Sequence, residues 1–257
     1  MLYEKRSQPV TKQPLTCHSQ TQTLIVLPVF NEVAFIDDIL RQVLSYTENV
    51  LVIDDGSTDG TSAKLKRYSK IKLLSHPQNR GYGRSLIDAF AFAAANDFDW
   101  LITIDADHQH EPAWIPRFYR KIRKDDVDII SGSRYLIDAD PSELSPPADR
   151  VAINRQITGI LNNSLGLQLT DAFCGFKAYR VKTLSRLCLT EEGYGLPLQL
   201  WIQAVVAGLR IREIPVPIVY HDPNRNFAGE LEDPEFRLNY YLGILEKELE
   251  QNGFGKS

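Results

Sequence analysis

Apolar and polar positions alternate in two rhythms along the first hundred residues. Thr23–Val29 (TLIVLPV) and Val50–Asp54 (VLVID) are nearly unbroken apolar runs, the pattern of strands covered on both faces. Between them Ile36, Ile39, Leu40, Val43 and Leu44 recur at helical spacing, which predicts a helix with one apolar face. The alternation continues with a helix from about Thr58 to Tyr68, a short strand at 71–75, a helix turning Leu86, Ile87, Phe90 and Ala94 inward, and a strand WLITID at 100–105. Elements in this order form right-handed βαβ units around a mostly parallel sheet. The predicted class is α/β: a three-layer α/β/α sandwich with a mixed, mainly parallel sheet.

The pattern loosens beyond residue 110. VDIISGSRY (127–135) predicts a strand running into a loop, and the polar, proline-bearing stretch 138–149 predicts a loop. Helices are expected at about 150–165, 197–207 and 234–250, with a strand near IREIPVPIVY and a second loop at 221–233. The last helix places Phe236, Leu238, Tyr240, Tyr241, Ile244 and Leu245 along one apolar face and is expected to dock on the core. Its glutamates count against a membrane-surface role, because surface-seeking helices are basic. Residues 1–21 are polar, carry two prolines, and are expected as a flexible leader ahead of a single domain at 22–257.

Composition removes several classes. At 43% hydrophobic and 24% charged residues the chain can bury a core and is not of the disordered type. A formal net charge of -4 gives no pull towards nucleic acid, so no nucleic-acid partner is expected. No stretch approaches the roughly 18 apolar residues of a transmembrane helix, and the start lacks the apolar core of a signal peptide. Cys17, Cys174 and Cys188 are odd in number and widely spaced, which argues against a disulfide framework and for a cytoplasmic setting.

The candidate chemistry sits where such a sheet binds ligands, outside the carboxyl ends of its strands. Asp105 and Asp107, one residue apart after WLITI, suit a hard cation, Mg²⁺ or Mn²⁺, that completes its shell with water and substrate phosphates. A solvated turn is the plain alternative. Gln109, two residues further, is in reach of such an ion or its water; His108 reads as a polar loop residue, and His110 stays open between the two roles. In DDGSTD (54–59), Asp55 is the candidate acceptor for a ring N–H of uracil or guanine, Gly56 permits the tight turn, and Ser57 or Thr58 caps the next helix. Asn79-Arg80-Gly81-Tyr82-Gly83 precedes a helix; its glycines would let backbone approach an anion at the helix N-terminus, although the third glycine of the dinucleotide fingerprint is missing. Arg134, Arg150 and Arg225 are candidate phosphate clamps, Arg150 and Asn154 sharing one helical face. Asp171, ahead of a glycine- and aromatic-bearing turn in DAFCGFKAYR, could act as a base, order an arginine or cap the turn. Cys174 reads as buried and inert.

In order, PVFNE, VIDDGSTDG, NRGYG, IDADHQHEP, GSRY and DAFCGFKAY resemble family 2 glycosyltransferases of the GT-A fold over about residues 22–222, and among them the dolichol- or polyprenyl-phosphate mannosyl- and glucosyltransferase branch. The resemblance implies inverting transfer of a hexose from a nucleotide-diphosphate sugar, of the GDP-mannose or UDP-glucose type, by direct displacement. It implies a nucleotide-binding half at about 22–110 and an acceptor half at about 111–257. Pro28, Phe30, Glu32 and Gly81 would belong to the donor pocket, Asp55 with Asp54 would hold the base, and Asp105, Asp107 and Gln109 would hold the ion and the donor diphosphate. Arg134 and Arg150 match phosphate-binding arginines of that branch, Arg225 falls in its last loop, and Asp107, Arg134 and Asp171 make up the implied catalytic set. The acceptor would be a lipid phosphate, already anionic, or a small hydroxyl compound, which needs a base for which Asp171 is the matching candidate. The protein would then work in the cytoplasm or in peripheral contact with the cytoplasmic membrane face. The loops at 138–149 and 221–233 are expected to order over bound donor.

Three departures weaken the carry-over to the acceptor. The last loop of that branch reads R-x-x-G-x-S-K, whereas Arg225-Asn226-Phe227-Ala228-Gly229-Glu230 stands here; Gln199 replaces a usual glutamate; and the hydrophobic tail of many members is missing. Two rival readings use the same residues. A haloacid-dehalogenase-type phosphatase uses a DxD with the first aspartate as nucleophile, but there the motif ends the first strand and continues to Thr or Val at the place of Gln109. A non-catalytic sugar-nucleotide-binding protein would keep the fold, though the intact DAD and DDGS argue against it.

Overall fold

The computed structural model describes residues 21–107, 110–136, 146–217 and 229–254. Its strands are β1 (Thr23–Val29), β2 (Val50–Asp54), β3 (Lys72–Ser75), β4 (Trp100–Thr103), β5 (Ile129–Ser133), β6 (Lys177–Arg180) and β7 (Ile211–Pro215). They form one sheet in the order β3-β2-β1-β4-β6-β5-β7. β6 runs antiparallel to both neighbours and every other pair is parallel, so the sheet is mixed and mainly parallel. The helices are α1 (Ile36–Leu44), α2 (Thr61–Leu65), α3 (Tyr82–Ala95), α4 (Ile115–Ile122), α5 (Ala148–Leu165), α6 (Val181–Leu184), α7 (Leu196–Val206) and α8 (Pro234–Gln251).

Alternate residues of the central strands feed two separate cores, which explains their continuous apolar runs. Leu24, Val26, Leu51 and Ile53 pack with α3, α5, α7 and α8 on one face; Ile25, Leu27, Val50 and Val52 pack with α1 and α4 on the other. The three-layer α/β/α sandwich is therefore present.

Four local features differ from the sequence pattern. β6 lies inside DAFCGFKAYR, which read as a turn. Two buried cations hide it: Lys177 donates its ammonium to the Cys174 carbonyl, and Arg180 donates Nε to Asp128 at 3.1 Å. α4 also went unread, although Ile115, Phe118 and Ile122 are its buried positions. α2 begins at Thr61 rather than near Thr58, and neither Ser57 nor Thr58 caps it. Ser57 Oγ accepts from the Asn31 amide (2.9 Å) and the Thr58 amide donates to Asn31 Oδ1 (2.8 Å), while Asp59 Oδ1 accepts from the Thr61 amide at 2.9 Å. α8 docks as expected through Tyr241 and Leu245, but Phe236 stays 43% exposed and Arg237 and Glu248 are buried in its place. Residues 1–20 of the expected leader and most of the loops at 138–149 and 221–233 lie outside the described residues. Among the described residues no helix is long and apolar enough to cross a membrane.

Candidate active site

A cleft of about 530 Å³ opens beyond the carboxyl ends of β1, β2 and β4. Glu32 follows β1, Asp55 follows β2, and Asp105 and Asp107 follow β4 along its wall. At the first end Pro28, Phe30, Glu32, Asp55 and Gly81 line the wall. Asp55 is 4% exposed; its Oδ1 accepts from the Arg80 amide and its Oδ2 from the Gly81 amide, both at 2.9 Å. Its carboxylate thus holds the glycine-bearing loop against the end of β2. Asp54 does not line the cleft. Its carboxylate accepts from the Ser57 amide (3.1 Å) and the Ser62 hydroxyl, so it fixes the turn that presents Asp55.

The glycines of NRGYG also make room for a distant segment. A Cβ on Gly81 or Gly83 would collide with the backbone of Glu191–Gly193, and the Arg84 amide donates to the Glu192 carbonyl at 3.0 Å. The two glycines admit a strap, residues 190–195, against the start of α3. Gln199 anchors that strap: its Oε1 accepts from the amides of Thr190 (2.7 Å) and Glu191 (2.9 Å), and its Nε2 donates to Glu248 at 2.6 Å. The strap delivers Tyr194 to the cleft, where its ring stacks on Tyr82 with centroids 5.7 Å apart.

Asp105 and Asp107 line the middle of the cleft. The Asp105 side chain is 28% exposed, and His110 Nε2 lies 3.6 Å from its Oδ2. Asp105 rests on Gly175, where any Cβ would fall inside its carboxylate; the glycine is the cradle that lets the acidic side chain lie flat under the cleft. Burial raises the Tyr82 hydroxyl well above its ordinary value, which keeps it a proton donor facing Asp105 Oδ1 at 3.4 Å. Two oxygen-donor carboxylates fit a hard divalent ion that takes its other ligands from substrate and water. Among the described residues no group of three or more His, Cys, Asp or Glu side chains is placed to hold a metal ion. His108 and Gln109 lie outside the described residues. His110 is buried and lowered to about 4 by that burial, and the Cys174 thiol is pushed up to about 12 by burial. Sγ and Nε2 are 3.9 Å apart.

The far end of the cleft is basic. Arg134, Arg150, Asn154 and Arg237 line it, with Arg150 and Asn154 one turn apart on α5. Arg134 is held in a fork by Asp171, Nε to Oδ2 at 2.6 Å and Nη2 to Oδ1 at 2.8 Å. Asn154 Nδ2 (2.7 Å) and the Phe173 amide (3.1 Å) also donate to Asp171 Oδ1. Burial would raise the Asp171 carboxyl, but the adjacent Arg134 charge and these donors hold it well below the usual carboxylate range. Asp171 is 0% exposed and absent from the cleft wall. Of the three roles the sequence leaves open for Asp171, the geometry favours ordering an arginine: its lone pairs are spent on Arg134 and the neighbouring donors. Arg225 lies outside the described residues. Arg237, which the sequence reading missed, donates to the Leu231 carbonyl at 2.7 Å and to Asp149. Its signal was a buried cation in the first turn of a helix, where the helix dipole disfavours positive charge. Tyr82 and Tyr194 were missed because tyrosines in glycine-rich loops carry no pattern of their own.

The family model described as glycosyl transferase family 2 matches residues 24–188, the span that holds β1 to β6 and both acidic motifs. The chain belongs to glycosyl transferase family 2. This family 2 glycosyltransferase is 28% identical over 207 residues to the undecaprenyl-phosphate mannosyltransferase of Micrococcus luteus, covering 77% of the chain and 84% of that protein. It is 25% identical over 222 residues to the polyprenol monophosphomannose synthase of Mycolicibacterium smegmatis, covering 82% and 83%. Among solved structures, glucosyl-3-phosphoglycerate synthase from Mycobacterium tuberculosis, crystallised with Mn²⁺, uridine-diphosphate-glucose and phosphoglyceric acid, aligns with a TM-score of 0.70 at 20% identity over 93% of this chain and 82% of that one. That likeness shows a shared GT-A architecture. Family membership sets the phosphatase reading aside.

Proposed function

We propose that this glycosyltransferase moves a hexose from a nucleoside-diphosphate sugar to a phosphate-bearing acceptor, a polyprenyl phosphate, with inversion at the anomeric carbon. The observation that carries the reading is the setting of Asp171: buried, forked to Arg134 and absent from the cleft wall, it offers no site for the proton of a hydroxyl acceptor. A phosphate monoester needs no such site, because its oxygen is already anionic at neutral pH. The arginines at that end, Arg134, Arg150 and Arg237, suit a phosphate dianion. The names of the two curated relatives support the same acceptor class.

In this reading Asp55 orients the base, and Pro28 and Phe30 form the apolar wall beside it. Asp105 and Asp107 would hold a Mg²⁺ or Mn²⁺ ion, which supplies neutralisation of the charge that develops on the leaving diphosphate. Arg134, immobilised by Asp171, directs the acceptor phosphate at the anomeric carbon. The acceptor oxygen forms the new bond as the bond from that carbon to the diphosphate oxygen breaks, and the nucleoside diphosphate leaves with the electron pair. The matching test supplies labelled GDP-mannose or UDP-glucose with Mg²⁺ or Mn²⁺, a polyprenyl phosphate and, separately, the parent polyprenol. Label is expected in the phosphate-bearing lipid alone. Equal transfer to the free alcohol, or to a small hydroxyl compound in preference to the lipid phosphate, would refute the assignment.

A further inference from the structure

Behind Asp55 lies a buried histidine that the reaction scheme leaves unused. His76 follows β3, and its side chain is 4% exposed. Its Nδ1 lies 2.6 Å from Asp55 Oδ1 and its Nε2 lies 2.9 Å from Asp88 Oδ2. Asp88, on α3, is also forked by Arg84, with Nε at 2.9 Å from Oδ2. The groups facing the imidazole are thus Asp55 from the end of β2 and Asp88 from α3, with Arg84 behind Asp88 and the Arg80 and Gly81 amides on the other side of Asp55.

Asp55 also accepts two backbone N–H groups and Asp88 a guanidinium, so each ring nitrogen of His76 faces a carboxylate that is already fixed by other donors.

We infer that His76 is a positioning residue for nucleotide-base recognition, bridging Asp55 to the Arg84–Asp88 pair and fixing the carboxylate that receives the base. This rests on the assignment of Asp55 as the base contact. The bridge fixes the torsion of Asp55, leaving its remaining acceptor direction for a ring N–H of the ligand. The alternative, a histidine that only fills space, has no link to ligand choice.

The test is equilibrium calorimetry of the full chain in Mg²⁺, comparing UDP and GDP with inorganic pyrophosphate, which has no base. For His76→Gln, which keeps a single donor, the dissociation constant of the nucleotide the wild type prefers is expected to rise about tenfold, the loss of one hydrogen bond to a charged group. That of pyrophosphate is expected to stay within about twofold. Asp88→Asn, which leaves the cleft wall untouched, is expected to shift in the same direction by a smaller factor and carries the comparison if His76→Gln does not fold. Unchanged nucleotide affinity in both variants, or a parallel loss for pyrophosphate, would overturn the role of His76. A wild type that binds nucleotides no better than pyrophosphate would instead remove the base contact at Asp55, and the role of His76 with it.

Discussion

Replacing Asp171 by asparagine tests the acceptor end most directly. The carboxylate accepts the Arg134 guanidinium, the Asn154 amide and two backbone N–H groups, those of Arg134 and Phe173, and is 0% exposed. A carboxamide keeps one acceptor oxygen and turns an NH₂ group towards donors, so Arg134 loses its fork and a cation that is only 14% exposed in its side chain loses its counter-charge. Breaking a buried pair from one side costs about 3–5 kcal/mol. For a chain of this size each kcal/mol lowers the melting temperature by roughly 2–4 °C, so a drop of about 10 °C is expected in a thermal melt. The KM for the phosphate acceptor should rise at least about tenfold, while nucleotide affinity stays within about twofold, because Asp55 lies at the other end of the cleft. The acid dependence has a definite sign. The folded value of Asp171 lies below that of the unfolded chain, near 3.9, so its contribution is fully present above about pH 4 and fades as the pH falls further. Asp171→Asn should therefore flatten the loss of stability below about pH 4. A melting temperature within about 2 °C of wild type, together with an unchanged acceptor KM, would refute the argument that Asp171 exists to hold Arg134.

Asp107→Ala should abolish metal-supported donor binding and leave the melting temperature without metal nearly unchanged; isothermal titration with and without Mn²⁺ reads this. Asp55→Ala should weaken nucleotide affinity by about 1–3 kcal/mol, the cost of one unpaired partner, measured by the same titration. Gly175→Ala should push Asp105 out of its cradle and lower kcat by at least about tenfold while nucleotide binding without metal persists. Gly81→Ala combines a φ of 102° with collision against the Glu192 carbonyl, and it should loosen the strap, seen as faster proteolysis within 190–195.

Much of the donor half was legible because its information is local. Nearly continuous apolar runs specify strands buried on both faces, helical spacing specifies the layers above and below, and a parallel sheet collects its loops at one end, so Asp55, Asp105 and Asp107 had to share a neighbourhood. The acceptor half was less legible because its residues are defined by partners far away in sequence. β6 is a strand through pairing with β4 and β5, its polar residues satisfied by Cys174 and Asp128 rather than by solvent. Asp171 carried three readings until the fold set it against Arg134 and closed it off from water, since the basicity of a carboxylate depends on burial and neighbouring charge, neither of which composition records. The glycines at 81 and 83 were visible, but the backbone of 191–193 that needs the space is more than a hundred residues away. The sequence alone determined the parallel β1–β4 part of the sheet, the helices between those strands and the acidic rim; tertiary packing decided where β6 enters the sheet and which ionisable groups keep a free lone pair, and with that which of them can do chemistry.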